Sequence, residues 1–304
     1  MRADVRRLPA LLALVALLAL LLAGCGPRGL PDGGHIVHRE KSMYRDIIVA
    51  ETGGYRCLSF ARRNGMQTCV YKGAPDLLAV PYTRAVFAGL MARPGAKRVL
   101  IIGAGGGVIP RAMHRFDPTL QIDVVELDPA VVAVAKRWFG YREDARVRTH
   151  IGDGRTFVRR SARAGVRYDL VVIDAYERVY VPEHLLTREF LSQVRDVLAP
   201  HGVVASNTFA RGALAPYEAA TYAAVFGPIQ RVDVEMGNRI LLAGRDGLPS
   251  PAALHARAEA MQLRLLALGV LVDELRSRPQ APPQGIRPLT DQYSPANLLF
   301  RAPE

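Results

Sequence analysis

Short apolar runs alternate with amphipathic segments along most of the chain. Five of these runs are apolar on both faces, as in strands that lie inside a sheet covered on both sides. The segments between them have the length and periodicity of helices. The predicted strands span residues 98–104, 121–128, 147–153, 168–175 and 202–209, and the predicted helices span residues 110–116, 129–139, 154–164, 187–198 and 216–226.

This alternation predicts an α/β fold with a mostly parallel sheet and helices on both faces. Two more apolar runs, residues 229–236 and 238–244, predict the antiparallel strands that close such a sheet. Together with the five parallel strands they predict a seven-stranded sheet.

A strand-rich segment precedes the α/β pattern, with predicted strands at residues 44–50, 55–60 and 66–71. The turn around Asn64 and Gly65 is a strong hairpin signal. Cys57 and Cys69 lie nearly opposite each other across this hairpin. In an oxidising compartment they could form a disulfide, and the alternative is two small apolar residues in a strand pair.

The chain divides into five predicted segments. They are a signal peptide (residues 1–24), a linker (25–40), an N-terminal β-hairpin extension (41–80), the α/β domain (81–248), and a C-terminal helix and tail (249–304). Within the last segment, residues 251–275 predict one long amphipathic helix. The proline-rich stretch that follows predicts irregular chain.

The first residues predict export. Arginine residues precede an unbroken apolar run of about 15 residues, which is shorter than the ~20 that a bilayer-spanning helix needs. The run ends in LAGC, which resembles the lipobox where bacterial lipoproteins are cleaved and lipidated on the cysteine, here Cys25. Since no aspartate follows Cys25, the resemblance implies a membrane-anchored lipoprotein at the periplasmic face of the outer membrane. An uncleaved anchor is the alternative.

Charge and cysteine spacing argue against two classes of site. The chain has 40 lysine and arginine residues against 28 aspartate and glutamate residues, and a formal net charge of +12. The basic residues are scattered and do not cluster on one face, so we expect no nucleic-acid partner. Cys57 and Cys69 form no CxxC motif and have no histidine cluster near them, so we expect no metal site.

A glycine cluster follows the first strand of the α/β domain. In open parallel sheets, ligands bind beyond the carboxyl ends of the strands, where the strand order reverses. Gly103, Gly105, Gly106 and Gly107 would let the backbone turn tightly there and approach a bound cofactor. A tight turn without a ligand is the alternative.

Acidic residues lie at the carboxyl ends of the next three strands. Glu126, roughly 20 residues after the glycines, is placed to accept hydrogen bonds from a ribose diol. Asp153 is placed to bind the exocyclic amine of an adenine. Asp174 emerges from an apolar strand, a position that suits a general base whose pKa is tuned by its surroundings.

Together these features resemble the Rossmann-like fold of class I AdoMet-dependent methyltransferases, and more closely the spermidine synthase (polyamine aminopropyltransferase) family. The motifs that carry the resemblance are GMQ, VLIIGAGGGVIPR, VVELDPAVVAVAKRWF, GDGRTFV, YDLVVIDAY and LLTREFL. Two later motifs, GNRILLAG and LTDQYSPANLL, resemble a bacterial spermidine-synthase-like subgroup.

The resemblance implies roles for single residues. Gln67 and the loop from Gly103 to Gly107 would line a nucleoside pocket, Glu126 would hold the ribose and Asp153 the adenine. Asp174 would deprotonate the attacking amine. Tyr82, Tyr176 and Glu177 would bind the amine substrate. The co-substrate would be decarboxylated S-adenosylmethionine or S-adenosylmethionine itself, with no metal.

Departures from the family pattern fall on the amine side of the predicted site. Gly106 stands where the family has an aspartate, Arg84 lies where the family has a glutamate, and Arg45 replaces a glutamine. These changes predict an aminopropyltransferase-like protein with a degraded amine site. The alternatives are an AdoMet-dependent methyltransferase and a non-catalytic nucleoside-binding lipoprotein. A homodimer is an open alternative to a monomer.

Overall fold

The computed structural model of the protein describes residues 34–60, 66–175 and 182–299. Several predicted features therefore lie outside the described residues: the signal peptide, Cys25, the turn at Asn64 and Gly65, and the predicted substrate residues Tyr176 and Glu177. Within the three described ranges, no helix combines the length and apolar character needed to cross a membrane.

The N-terminal part forms an antiparallel sheet of four strands in the order β1-β2-β3-β4. The strands are β1 (His35–Lys41), β2 (Asp46–Thr52), β3 (Tyr55–Phe60) and β4 (Met66–Tyr71). Most of β1 lies in the stretch predicted as a linker. Cys57 pairs with Cys69 across β3 and β4, and their sulfur atoms form a disulfide. Of the two alternatives predicted for these cysteines, the structure therefore shows the disulfide.

The larger sheet contains eight strands in the order β12-β10-β11-β9-β8-β5-β6-β7. Strands β9, β8, β5, β6 and β7 are parallel, and β11, β10 and β12 continue the sheet in antiparallel pairs. The strands are β5 (Arg98–Ile102), β6 (Gln121–Glu126), β7 (Val147–Ile151), β8 (Tyr168–Ile173), β9 (Leu198–Phe209), β10 (Ile229–Asp233), β11 (Asn238–Gly244) and β12 (Ser277–Gln280).

Helices cover both faces of this sheet. They are α1 (Pro81–Ala85), α2 (Ala88–Ala92), α3 (Val108–Phe116), α4 (Pro129–Trp138), α5 (Gly154–Arg163), α6 (Arg188–Val197), α7 (Ala215–Phe226), α8 (Pro251–Ala260), α9 (Gln262–Leu266) and α10 (Ala296–Leu299). Short 3₁₀ turns lie at Glu183–Leu185, Glu235–Gly237 and Val272–Leu275.

The central strand β5 shows why its sequence is apolar at every position. Val99 and Ile101 pack with α2, α3, α4 and the N-terminal sheet, whereas Leu100 and Ile102 pack with α5, α6 and α7 on the opposite face. All four side chains are buried. Full burial of each such side chain stabilises the fold by roughly 1.5–3 kcal/mol. The continuous apolar run is therefore the pattern of a strand between two helical layers.

Two predictions for the C-terminal part were wrong. The sheet has eight strands instead of seven, because Ser277–Gln280, from the tail predicted as irregular, pairs with β10. Proline is compatible with this position because β12 lies at the sheet edge, where one side of the strand needs no donor. The predicted helix at residues 251–275 is instead α8, α9 and a 3₁₀ turn, with non-helical backbone at Met261 and a left-handed residue at Gly269 (φ 74°).

Candidate active site

The strand order reverses between β5 and β8, because the chain continues from β5 to β6 and β7 on one side and then returns to β8 on the other. The loops that follow these strands line a cavity. Gly103 follows β5 with φ 99°, and a Cβ atom there would lie 2.0 Å from the backbone oxygen of Asp174. The two loops are held together because the amide of Asp174 donates to the carbonyl of Ile102. Only glycine permits this close approach of the two strand ends.

The cavity has a volume of about 880 Å³ including its open mouth. Its wall combines apolar side chains with acids at the carboxyl ends of three different strands, the composition typical of a small-molecule site. The lining residues are Arg45, Phe60, Gln67, Tyr82, Ile102, Gly103, Gly105, Val125, Glu126, Leu127, Gly152, Asp153, Gly154, Asp174, Ala175, Pro182, His184 and Leu185.

Asp174 lines the cavity with both carboxylate oxygens hydrogen-bonded. Oδ1 accepts from Nδ2 of Asn207 at 3.0 Å, and Oδ2 accepts from the hydroxyl of Tyr82 at 3.2 Å. Desolvation raises the pKa of Asp174 to about 6, with a smaller contribution from the charge of Glu126, although both hydrogen bonds favour the ionised form. Such a carboxylate is ionised at neutral pH and is a stronger base than an exposed aspartate.

Tyr82 connects α1 to the base. Its hydroxyl lies 3.1 Å from the carbonyl oxygen of Gln67 as well as next to Asp174. Burial, and then the nearby charge of Asp174, raise the pKa of Tyr82 well above its ordinary value. The tyrosine therefore stays protonated and acts as a hydrogen-bond donor. Sequence-predicted residues Gln67, Tyr82 and Asp174 thus come together in one wall.

Glu126 is held rigidly at the end of β6. Its Oε2 accepts from the amide of Ala104 at 2.9 Å, and its Oε1 accepts from the amide of Asp128 at 3.0 Å. Each carboxylate oxygen has a further lone pair. The side chain is therefore a preoriented acceptor in the cavity wall, as a ribose diol would require.

Asp153 caps helix α5 and pairs with a histidine. Oδ1 accepts from the amide of Thr156 at 2.8 Å, and Oδ2 lies 2.7 Å from Nε2 of His184. These contacts, the one with His184 first, lower the pKa of Asp153 to about 2. Asp153 is thus an anion at neutral pH, in a cavity wall that Pro182 and Leu185 also line.

The four glycines of the cluster divide into two pairs. Gly103 and Gly105 line the cavity, whereas Gly106 and Gly107 do not. The amide of Gly106 donates to Oγ1 of Thr68 at 3.0 Å, and a Cβ at this position would lie 2.6 Å from Cγ2 of the same threonine. At Gly107, which has φ 70°, a Cβ would lie within 2.6 Å of the ring of Tyr141. The two glycines of this second pair pack against Thr68 and Tyr141, and their predicted contact with a cofactor stays a prediction.

The position of Arg84 differs from the prediction that it lies on the amine side of the site. Its guanidinium donates to Oε1 of Glu274 at 2.8 Å and to the carbonyl of Leu78 at 2.9 Å, and the side chain is 6% exposed. It does not line the cavity. Because its charge is paired with Glu274 outside the site, Arg84 does not place a repelling cation next to an amine substrate.

Arg45 does enter the cavity. Its guanidinium carbon lies 4.5 Å from the centre of the Phe60 ring, and its Nε lies 3.8 Å from Oδ2 of Asp128. The ring and the carboxylate fix the guanidinium against the wall that Glu126 also lines. The cavity therefore presents a fixed cation beside its acids.

We find no metal centre in the part of the chain that the structure describes, since no three histidine, cysteine, aspartate or glutamate side chains cluster there in a way that could hold an ion.

Comparison with known proteins shows to which family the chain belongs. Residues 82–214 match the spermine/spermidine synthase domain. The polyamine aminopropyltransferase of Vibrio vulnificus (strain CMCP6) is 38% identical over 294 residues, which cover 94% of this chain and 98% of that protein. The chain belongs to the spermidine synthase family.

Solved structures support the fold of this spermidine synthase family member. A probable spermidine synthase from Corynebacterium glutamicum ATCC 13032 superposes with a TM-score of 0.65 at 20% identity, covering 84% of this chain and 97% of the other. Human methyltransferase-like protein 13 in complex with SAH superposes with a TM-score of 0.56 at 27% identity, covering 61% of this chain and 92% of the other. The predicted Rossmann-like methyltransferase fold is confirmed.

Sequence reasoning missed several residues that the structure places at the site of this spermidine synthase family member. Asn207 contacts Asp174, and His184 contacts Asp153. The ring of Phe60 packs against the guanidinium of Arg45. Asn207 lies near the carboxyl end of the buried strand β9, as the predicted acids lie at the ends of theirs, and that position was the available signal. His184 lies in a 3₁₀ turn, and Phe60 ends β3 of the separate N-terminal sheet, so only the fold brings them to the cavity.

Proposed function

We propose that this protein is an aminopropyltransferase that transfers the aminopropyl group of decarboxylated S-adenosylmethionine to a small amine. The observation that carries the proposal is the position of Asp174, a base with a raised pKa that lies in the same cavity as Glu126 and Asp153. Membership of the spermidine synthase family supports the same reaction.

In the proposed reaction, the amine nitrogen attacks the propyl carbon that is bonded to the sulfonium sulfur. The new C–N bond forms as the C–S bond breaks, and methylthioadenosine leaves with the electron pair. The proton lost by the attacking nitrogen passes to Asp174. Glu126 and Asp153 would bind the ribose and the adenine, so that the nucleoside is oriented for in-line displacement.

The amine end of the proposed site carries fewer acids than the family pattern. Gly106 supplies no carboxylate, and its position is filled by Thr68. A charge-assisted hydrogen bond is worth about 1.5–3 kcal/mol, so the loss of one would weaken binding of a cationic group about 10- to 100-fold. We therefore propose weak binding of polyamines, with Asp174 and Tyr82 as the remaining polar contacts among the described lining residues.

The test combines binding and turnover. Residues 26–304 are titrated calorimetrically with decarboxylated S-adenosylmethionine and methylthioadenosine, and transfer to putrescine is followed by release of methylthioadenosine. We expect Asp174→Asn to lower the transfer rate about 10²- to 10⁴-fold with little effect on nucleoside binding. Asp196→Asn, an exposed aspartate on α6, is the matched control. Failure to bind either nucleoside would contradict the proposal.

A second candidate is an AdoMet-dependent methyltransferase, and Arg45 is the observation that favours it. A guanidinium in the cavity suits a donor that retains its carboxylate, whereas a decarboxylated donor has no group to pair with it. The likeness to a methyltransferase-like protein bound to SAH is in line with this alternative.

The donor preference of the Arg45→Gln variant separates the two candidates. If Arg45 binds a carboxylate, the variant loses about 10-fold or more in affinity for S-adenosylmethionine and little for the decarboxylated form. Arg167→Gln, at an exposed arginine, is the control. An equal preference in wild type and variant would rule out this role for Arg45.

We also propose that the protein is an exported lipoprotein anchored through Cys25. The apolar N-terminal run and the LAGC sequence support this, as does the Cys57–Cys69 disulfide, a bond that persists in oxidising compartments. Fractionation of cells that express wild type or Cys25→Ala tests it, because only the wild type should enter the membrane fraction. Sedimentation of the purified chain would distinguish a monomer from a homodimer.

A further inference from the structure

A line of polar side chains runs from β11 through β9 to the base. Nδ2 of Asn238 donates to Oδ1 of Asn207 at 2.9 Å, and Nδ2 of Asn207 donates to Oδ1 of Asp174 at 3.0 Å. In the antiparallel pair of β9 and β11, Asn207 is opposite Ile240 and Asn238 is two positions away, so the two amides are diagonal neighbours.

The amide of Asn207 could take two orientations, and they have opposite effects on Asp174. With nitrogen toward Asp174, the amide donates to the ionised carboxylate. With oxygen toward Asp174, two acceptors would face each other unless the carboxyl group carried a proton. Asn207 is only 6% exposed, so its oxygen depends on protein donors.

We propose that Asn238 is a positioning residue: its donation to Asn207 holds the amide nitrogen of Asn207 toward Asp174 and so keeps Asp174 in the ionised form that accepts a proton. The inference rests on the proposed function, because it assigns Asn238 an indirect part in the same transfer. Asn238 does not line the cavity and would touch neither donor nor amine.

The other groups around Asp174 define what Asn207 contributes. Tyr82, from α1, donates to the second carboxylate oxygen, and Glu126, from the end of β6, opposes ionisation through its charge. The loop after β5 contributes Gly103, which has no side chain. On β11, the neighbouring Arg239 pairs with Glu218 and bonds Thr208. Within the described ranges, Asn207 and Tyr82 are the two side-chain donors that favour the carboxylate form of Asp174.

The first measurement is the titration of the Asp174 carboxyl carbon by ¹³C NMR in the full mature chain, assigned by its loss in Asp174→Asn. We expect Asn238→Leu to raise the Asp174 pKa by about 0.5–1 unit, the equivalent of one neutral hydrogen bond. We expect Asn207→Leu to raise it at least as far. The acidic limb of the kcat/KM profile should shift to higher pH by the same amount, with the rate recovering above about pH 8.

Asn238→Asp replaces the donor by an acceptor of the same shape, so it should turn the Asn207 amide and shift the pKa furthest. This isosteric variant also keeps the test decisive if Asn238→Leu does not fold. Met236→Asp is the charge control, because Met236 is exposed, lies two residues away and has φ 66°, which aspartate tolerates.

Two results would overturn the inference. One is an unchanged Asp174 pKa in Asn238→Leu alongside a raised pKa in Asn207→Leu, which would show that Asn207 holds its orientation without Asn238. The other is an equal shift of the Asp174 pKa in Met236→Asp and Asn238→Asp, which would show that the added negative charge alone causes the shift. Since the titration needs no turnover, a protein without transferase activity would contradict the proposed function and leave this test intact.

Discussion

At the scale of single residues, Asp174 combines a chemical advantage with a cost in stability. Its pKa is about 6 in the folded protein, because desolvation outweighs the hydrogen bonds from Asn207 and Tyr82. The unfolded chain has the ordinary value of 3.8. A raised acid pKa means that the folded state binds the proton more tightly than the unfolded state does. Stability from this group is therefore fully present below about pH 3.8 and is lost as the pH rises through 6.

Asp174→Asn should consequently stabilise the protein at pH 8 while it removes the proposed base. The shift of about two pK units corresponds to at most about 3 kcal/mol of unfolding free energy. The gain should be small at pH 3.5, where the native carboxyl group is neutral. Urea unfolding at the two pH values measures it, with Asp196→Asn as the reference. An equal effect at both pH values would contradict the assignment of the raised pKa to Asp174.

The rate of transfer should follow the same titration. Because only ionised Asp174 accepts the proton, kcat/KM should rise with pH through about 6 and level off above it. A pH-rate profile from pH 5 to 8 with saturating donor measures the limb. A limb that stays in place in Asn207→Leu would contradict the hydrogen-bonded assignment of Asp174.

The residue pattern predicted the acids better than their partners. Glu126, Asp153 and Asp174 lie at the carboxyl ends of apolar strands, so parallel pairing alone brings them to one edge of the sheet. The contacts of Asn207 and His184 depend on neighbours from distant segments, which periodicity does not report. The prediction that Arg84 lies on the amine side of the site was wrong for the same reason, because its ion pair with Glu274 depends on tertiary packing.

At the scale of elements, the hairpin of β3 and β4 carries one wall of the cavity. It supplies Phe60 and Gln67 to the lining, and Thr68 to the amide of Gly106. The disulfide between Cys57 and Cys69 joins the two strands of the hairpin. Restraint of this hairpin thus affects both the core and the site.

Removal of the disulfide should destabilise the fold. Cys57→Ala combined with Cys69→Ala should lower the unfolding free energy by about 2–4 kcal/mol, because the unfolded chain gains freedom. Chemical unfolding of the double variant measures the change, and wild type treated with dithiothreitol is the control. If reduced wild type and double variant were as stable as the oxidised protein, the bond would have no structural role.

The turn after β5 should tolerate no side chain. Gly103→Ala would place a Cβ 2.0 Å from the carbonyl oxygen of Asp174 and require a positive φ of an alanine. We expect both lower stability and displacement of Asp174, seen as a loss of transfer larger than the loss of stability explains. Gly165→Ala also has a positive φ but open space around it, so it controls for backbone strain alone.

Element boundaries could be predicted where a single signal dominates. Helix α4 begins at Pro129, as predicted from the sequence, and the structure adds Asp128 as its N-cap. The segment at residues 251–275 has helical periodicity throughout, yet the chain breaks at Met261 and Gly269. Hydrophobic periodicity survives such a break when both pieces pack on the same core, so the pattern gave no sign of it.

At the scale of the whole molecule, the C-terminal tail contacts α5, α7 and the residue that precedes α6. Asp291 accepts from both terminal nitrogens of Arg155 on α5 at 2.7 Å, and from the hydroxyl of Thr187. The amide of Leu289 donates to Thr221 on α7. These contacts order a proline-rich segment whose composition alone predicts an irregular chain. Its path could not be predicted because its partners lie far earlier in the sequence.

Strand β12 covers the flank of β10 and thereby occupies the hydrogen-bonding edge of that strand. Without it, Ile229–Asp233 would present a regular row of unpaired amides and carbonyls to a second molecule, the geometry that seeds edge-to-edge aggregation. The outer side of β12 is a poor template in turn, because Pro279 has no amide proton and Arg278 adds charge. A shortened chain that ends before Ser277 would therefore be expected to precipitate at concentrations where the full chain remains dispersed.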